Sequence, residues 1–159
     1  SVIPKILLID IGGFTVDYMV LRFGQLEMEY VDSLENGVIR LYNSIKAAIR
    51  QKYSILLDEE DIDNIILERG GCYKPELKER VREVAIGYVT ELLGKFRELG
   101  IDFNTTQTVF LGGGSILLAD FIQIVWKRFG VEYNIINDTK ANAKGYRLQY
   151  LVENKEERK

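Results

Sequence analysis

The sequence predicts an α/β protein: a mixed five-stranded sheet, three antiparallel strands continued by parallel ones, flanked by helices and carrying a small helical insert. Three observations carry this reading. Three short strand patterns follow one another at the start of the chain. From about residue 101 onward, short apolar runs alternate with helix-period stripes. Between the two, only helix-period patterning appears. The expected units are therefore 1–53 with 101–159 as the sheet lobe, and 54–100 as the insert lobe.

Lys5 to Ile9 is a continuous apolar run, as a buried central strand requires. In Val16 to Arg22, Val16, Tyr18 and Val20 alternate with Asp17, Met19 and Leu21. Gly24 turns the chain, and Gln25 to Val31 sets Leu26, Met28 and Tyr30 against Gln25, Glu27 and Glu29. These strands read as an antiparallel meander with a wetter outer strand. Ser33 to Gly37 opens a helix, with Val38, Leu41, Ile45, Ala48 and Ile49 at helical spacing to about Lys52. Asp58-x-x-Asp61 resembles a capping box with Asp in place of Glu or Gln, ahead of Ile62, Ile65 and Ile66. Gly70-Gly71 stops that helix, and Pro75 suits the first turn of the next. Val81, Val84, Ala85, Tyr88, Val89, Leu92 and Phe96 form its stripe, up to Gly100.

Thr108 to Leu111 is a further buried strand. Ile116, Leu117, Phe121, Ile124, Val125 and Phe129 give the inner face of the helix that follows, ending at Gly130. Val131 to Ile136 is the last strand. Asp138 caps a final helix through Ala141, Tyr146 and Leu151, and the mixed-sign residues 153–159 read as its solvated end.

The chain of 159 residues is long enough for one domain or two small lobes with a real core. Its 21 basic and 24 acidic residues leave a net charge of −3 and no basic block, so the electrostatic footprint of direct nucleic-acid binding is missing. There is no histidine, which excludes Ser-His-Asp and Cys-His catalysis and His-ligated metals. Cys72 is the only cysteine, so neither an intrachain disulfide nor a Cys-based metal cluster forms; it reads as a structural or surface thiol. No apolar run approaches the ~20 residues that span a bilayer, and no stretch reads as a secretory signal. The expected location is cytoplasmic, without membrane contact. The chain opens with Ser1, so it reads as a processed or excised piece of something longer.

Chemistry concentrates in two places. Leu8-Ile9-Asp10-Ile11-Gly12-Gly13-Phe14-Thr15 is a strand running into a glycine turn. Val109-Phe110-Leu111-Gly112-Gly113-Gly114-Ser115 is a strand running into glycines and then a helix. Glycines let backbone N–H groups approach a phosphate closely, and the Asp10 carboxylate would stand where a phosphate-bound Mg²⁺ or its water shell is held. Each motif also has a plainer reading. Gly-Gly is a common hairpin turn, and the triple glycine can simply break the strand, with Ser115 as helix N-cap. The pair in this order is more specific than either, and suggests two contacts on one nucleotide.

Asp10-Ile11-Gly12-Gly13-Phe14-Thr15 resembles the second phosphate motif of the actin, Hsp70 and sugar-kinase superfamily. Gly112-Gly113-Gly114-Ser115 resembles its adenosine motif, and Lys140-Ala141-Asn142-Ala143-Lys144-Gly145-Tyr146 its closing hinge helix. The wording of the first and last motifs is most similar to ParM/StbA, the bacterial actin-like plasmid-segregation proteins. The resemblance implies a ribonuclease H-like sheet with Asp10 holding Mg²⁺ through water. Gly12, Gly13 and Phe14 N–H groups and the Thr15 hydroxyl would meet the phosphates of ATP or ADP, and Gly113 and Gly114 would lie under ribose and purine. It also implies filament self-association and a DNA-binding adaptor as partner. Family members are about twice this length, so the chain reads as the second lobe only and is expected to be inactive alone. Lys78 and Arg82 would line the purine side or form a solvated helix face; Asp17 reads as a turn or strand-edge residue rather than a ligand. The rival readings are an interaction module with negligible nucleotide binding, and a lobe of a superfamily kinase. A dinucleotide-binding reading lacks its G-x-G-x-x-G.

Overall fold

A computed structural model describes residues 4–130 and 135–137. Its elements are β1 (Lys5–Ile11), β2 (Val16–Arg22), β3 (Gln25–Leu34), α1 (Val38–Tyr53), α2 (Glu59–Ile66), α3 (Pro75–Glu98), β4 (Gln107–Leu111), α4 (Gly113–Leu117), α5 (Ala119–Arg128) and β5 (Ile135–Asn137). The strands form one mixed sheet in the order β3-β2-β1-β4-β5. β1 pairs antiparallel with β2 and parallel with β4; β2–β3 is antiparallel and β4–β5 parallel. The expected final helix from Asp138, the Lys140–Tyr146 segment and the start of the last strand lie outside the described residues.

Strand alternation sorts the central strand onto two apolar faces. Leu7, Ile9 and Ile11 share a cluster with residues of α1, α2, α3 and α5. Ile6 and Leu8 join Leu21, Val109 and Leu111 on the opposite face. The hairpin between β2 and β3 turns on Phe23 (φ 47°) and Gly24 (φ 79°), the two positive-φ residues that match the strands' right-handed twist. β3 is the outer, wetter strand. It runs on to Leu34, past the expected end, because Ser33 pairs with Asp17 and its hydroxyl donates to the Asp17 carboxylate. Asp17 is thereby paired on both sides, with Asp10 and Ser33, inside the sheet rather than at its edge.

The short side chain at Asp61 does complete a capping box. Asp58 Oδ1 accepts from Asp61 N at 2.8 Å, and Asp61 Oδ2 accepts from Asp58 N at 3.0 Å. That backbone donor, with the Tyr73 hydroxyl at 2.8 Å, holds the Asp61 carboxyl below the usual carboxylate range.

Two expectations need correction. The single helix expected after the triple glycine is two, α4 and α5, broken at Leu118 (φ −99°, ψ 10°). The break re-phases the inner face. Phe121, Ile122, Val125 and Trp126 are the buried residues of α5, while Ile124 and Phe129 are only partly buried. Trp126 packs on Phe103 and Phe110, with ring centroids 4.7 and 6.0 Å away. Second, segment 54–100 is helical but not set apart along its whole length. α3 packs on α1 and α5 as well as α2, and near its C-terminal end Phe96 meets Tyr18 of β2 edge-to-face at 5.1 Å. Burying so long a stripe takes all of these neighbours.

Candidate functional site

β1 and β4 run parallel and in register, with Asp10 beside Leu111. Their carboxyl ends therefore point the same way, and both glycine turns emerge at one edge of the sheet, where open α/β sheets bind ligands. Between them lies a cleft of about 340 Å³. Gly12 and Gly13 form one wall and Gly113, Gly114 and Leu117 another. Val38, Ile39 and Tyr42 of α1 form its floor, with Asp63 of α2 at the rim.

The first turn is built against the N-terminus of α1. Gly37, Val38 and Ile39 donate their N–H groups to the carbonyls of Phe14, Gly12 and Gly13, at 3.1, 3.0 and 2.9 Å. Those helix-end donors would otherwise be orphaned. Gly12 N–H donates to Thr15 O at 3.0 Å. Gly12 is therefore not a free donor, contrary to the expectation. With the Gly12, Gly13 and Phe14 carbonyls held by the N-terminus of α1, the N–H groups of Gly13, Phe14 and Thr15 find no protein acceptor among the described residues. Consecutive backbone amides of this kind can form an anion-binding concavity. The Phe14 ring is 80% exposed at the loop tip.

The close approach needs Gly37, where a Cβ would collide with the Gly13 carbonyl. It also needs Gly112, whose φ of +85° disfavours other residues and where a Cβ would strike Asp10 Oδ1. The two motifs thus touch: the Asp10 carboxylate lies against the Gly112 backbone. Gly114 is packed, with Val38 Cγ2 at 2.7 Å and Ile11 O at 2.8 Å from a Cβ built there. Gly113 differs, with nothing within 4 Å. Ser115 is buried inside α4 and its hydroxyl donates to Leu111 O at 2.5 Å, so it does not cap the helix.

At the rim, Tyr42 Oη donates to Asp63 Oδ1 at 2.5 Å. Burial first, and then this bond, push the Tyr42 phenol well above its ordinary range. Gly37, Tyr42 and Asp63 are site residues that the sequence pattern did not single out. An Asn-Gly pair directly ahead of a helix was the one available signal. Lys78 and Arg82 do not line this cleft. They border a separate hollow of about 270 Å³ with Glu68 and Tyr73. There Arg82 pairs with Glu68 at 3.2 Å and stacks over Phe121 at 5.2 Å. No helix among the described residues is long and apolar enough to cross a membrane.

Residues 8–123 match the family described as archaeal actin homologue MreB-like, C-terminal. Among solved structures, the chain is similar to a pCBH ParM non-polymerisable quadruple mutant at 22% identity and TM-score 0.64, covering 98% of this chain and 48% of that one. It is similar to an Alp12 filament structure at 16% identity and TM-score 0.64, covering 94% and 46%. It is also similar to Bacillus thuringiensis ParM with AMPPNP at 14% identity and TM-score 0.62, covering 98% and 48%. The chain spans about half the length of the structures it matches. No curated protein matches it. At these identities the likeness establishes the fold, a mixed α/β actin-like sheet flanked by helices. With well over half of its residues in the family match, the chain belongs to the MreB-like C-terminal family of archaeal actin homologues.

Proposed function

We propose that this chain is the C-terminal nucleotide-binding lobe of an actin-like, filament-forming ATPase of the kind used in plasmid or DNA segregation. The observation that carries the reading is that both glycine turns leave the sheet at one edge: Gly12, Gly13 and the open Gly113 line one cleft, the amides of Gly13, Phe14 and Thr15 beside it find no protein acceptor among the described residues, and the Asp10 carboxylate lies against Gly112. Anionic oxygens of ATP or ADP satisfy such donors. Asp63, acceptor-only when ionised, suits a hydroxyl or amine donor at the other end. Polarity thus gives the cleft a direction, phosphate at the loop and sugar or base toward α2. The AMPPNP of the Bacillus thuringiensis ParM and the filament of Alp12 support the nucleotide and the self-association.

Among the described residues no three carboxylates or thiols converge. Asp10 would therefore hold Mg²⁺ together with phosphate oxygens and water rather than in an all-protein cage. That cation would neutralise phosphate charge. Catalysis in such sites is positioning and electrostatics, and the groups facing this cleft from the other half of the relatives' length would complete it. In this reading 1–53 and 101–159 form the sheet lobe and 54–100 the insert, with α3 shared between them. The exposed Phe14 ring favours one further element, a partner surface at the loop tip, where the interaction-module reading and the nucleotide reading meet.

The test is a titration of the ¹⁵N-labelled chain with Mg-ATP. Gly13, Phe14, Thr15, Gly113 and Gly114 amides are expected to move together, saturating in the millimolar range. No movement at any of the five, with the fold intact, would sink the nucleotide reading and leave the interaction module.

A further inference from the structure

The N-terminus of α1 has no side-chain cap and no acidic residue in its first turn. Its N-cap is Gly37, which has no side chain to offer. Asn36, the residue before it, is a strong capping type, yet its side chain turns away from α1. Asn36 is 6% exposed, and α3 holds both of its oxygens. Lys95 Nζ donates to Asn36 Oδ1 at 3.0 Å, and Tyr88 Oη donates to Asn36 O. Tyr88 and Lys95 lie two turns apart on one face of α3. Glu91 sits between them, 3.8 Å from Lys95 and 3.7 Å from Arg40 of α1.

We infer that Lys95 and Tyr88 are positioning residues of the anion cradle, acting through Asn36; this rests on the nucleotide reading above. The covalent neighbour of Asn36 is Gly37, whose N–H holds the Phe14 carbonyl at 3.1 Å. That bond and its two neighbours hold the Gly12, Gly13 and Phe14 carbonyls against α1, while the amides of Gly13, Phe14 and Thr15 have no protein acceptor among the described residues. A Cβ at Gly37 would collide with the loop backbone, so the contact tolerates little displacement. The grip on Asn36 fixes where Gly37 stands, and so fixes the direction of the three amides. A charged donor on a buried amide oxygen is the stronger kind of hydrogen bond. Losing it leaves that oxygen unsatisfied and frees the segment to shift.

The experiment uses the full chain and inorganic pyrophosphate as the probe. Lys95→Met, Lys95→Arg, Asn36→Ala and Tyr88→Phe are compared for pyrophosphate affinity, for ligand-free amide shifts at Gly13–Thr15, and for exchange of the Gly37 amide. Lys95→Met and Asn36→Ala should each weaken pyrophosphate about tenfold, the effect of ~1.4 kcal/mol. Each should also speed Gly37 exchange by a similar factor, and Lys95→Arg should stay within about threefold of wild type. The double variant Asn36→Ala with Lys95→Met should be no weaker than Asn36→Ala alone. Asn36→Ala leaves every charge in place. If it binds like wild type while Lys95→Met does not, Lys95 acts on the anion by charge alone and the positioning role is refuted. Unchanged Gly37 exchange and loop shifts in Lys95→Met and Tyr88→Phe refute it too. If the wild-type chain binds no pyrophosphate, the nucleotide reading fails on its own. The grip is then judged by Gly37 exchange, where unaltered protection in Lys95→Met overturns it.

Discussion

Gly112 and Gly113 are neighbours with opposite expected roles, and substituting them one at a time separates fold from ligand. Gly112 has φ +85° and faces Asp10 Oδ1 and, at 2.7 Å from a built Cβ, Ile11 O. Its extended positive-φ backbone (φ 85°, ψ 167°) is essentially confined to glycine and costs another residue about 1–3 kcal/mol. Relieving the collision adds roughly 1–3 kcal/mol. Gly112→Ala should therefore destabilise the chain by about 2–6 kcal/mol. Gly113 begins α4, and a Cβ built there would meet no other atom within 4 Å. Gly113→Val gains a few tenths of a kcal/mol in helix propensity and meets no obstacle, so its stability should change by less than ~0.5 kcal/mol. Its side chain nevertheless projects into the open space of the cleft. Three charge-assisted bonds from Gly13, Phe14 and Thr15, at roughly 1.5 kcal/mol each, give about 4.5 kcal/mol, near the millimolar range. Blocking the approach should weaken binding at least tenfold, below detection. Urea unfolding gives the stabilities, and Mg-ADP titration followed by amide shifts gives the affinity. A Gly113→Val chain that binds like wild type, or a Gly112→Ala chain with an unchanged urea midpoint, would refute the assignment.

Three further outcomes are expected. Phe96→Ala removes a fully buried ring that holds Tyr18 edge-to-face. It should cost about 3–5 kcal/mol, read as a lower urea midpoint, and a loss under 1 kcal/mol would contradict the shared role of α3. Burial pushes the Tyr88 phenol up to about 12 from 10.0. The folded state then keeps a proton that the unfolded state gives up, so this stability is intact below pH 10 and is lost as pH rises from 10 to 12. The loss is of order 2–3 kcal/mol, and Tyr88→Phe should flatten that part of the pH profile. Finally, the chain alone should turn over Mg-ATP at background rate, because one lobe supplies amides and only Asp10 as a carboxylate at the phosphate end. Single-turnover assays at high protein concentration check this, and clear turnover abolished by Asp10→Ala would overturn it.

Much of the fold was legible because it rests on local patterning. The run Lys5–Ile9, the alternation in Val16–Arg22 and the Asp58/Asp61 pair each encode their element within a few residues, and each appears where the pattern puts it. The break at Leu118 was not legible, since no glycine or proline marks it. It follows from tertiary packing, which re-aims α5 so that Trp126 reaches Phe103 and Phe110. The shared role of α3 was hidden for a similar reason: one continuous stripe looks the same whether it meets one partner or two. In the site, glycine spacing located the loops but not their donors. Which amide is free depends on Gly37, Val38 and Ile39 arriving from α1 to take the carbonyls. The hollow that collects Lys78 and Arg82 likewise forms only once α2 and α3 are packed.

The parallel pairing of β1 and β4 is what turns two weak motifs into one site. An aspartate before two glycines, or three glycines before a helix, is common and says little alone. The register that sets Asp10 beside Leu111 brings the next residue, Gly112, against the Asp10 carboxylate. Had the strands slipped by one residue, Ile6, Leu8 and Asp10 would have turned to the helix-packed face that Leu7, Ile9 and Ile11 now fill, where an unpaired carboxylate is costly. The apolar pattern of β1 therefore fixes more than the core. By burying Leu7, Ile9 and Ile11 on one face, it forces Asp10 onto the other, at the end where both glycine turns leave the sheet. The same hydrophobic alternation that folds the lobe aims its carboxylate, so core substitutions in β1 that disturb this register should act on the site as well as on stability.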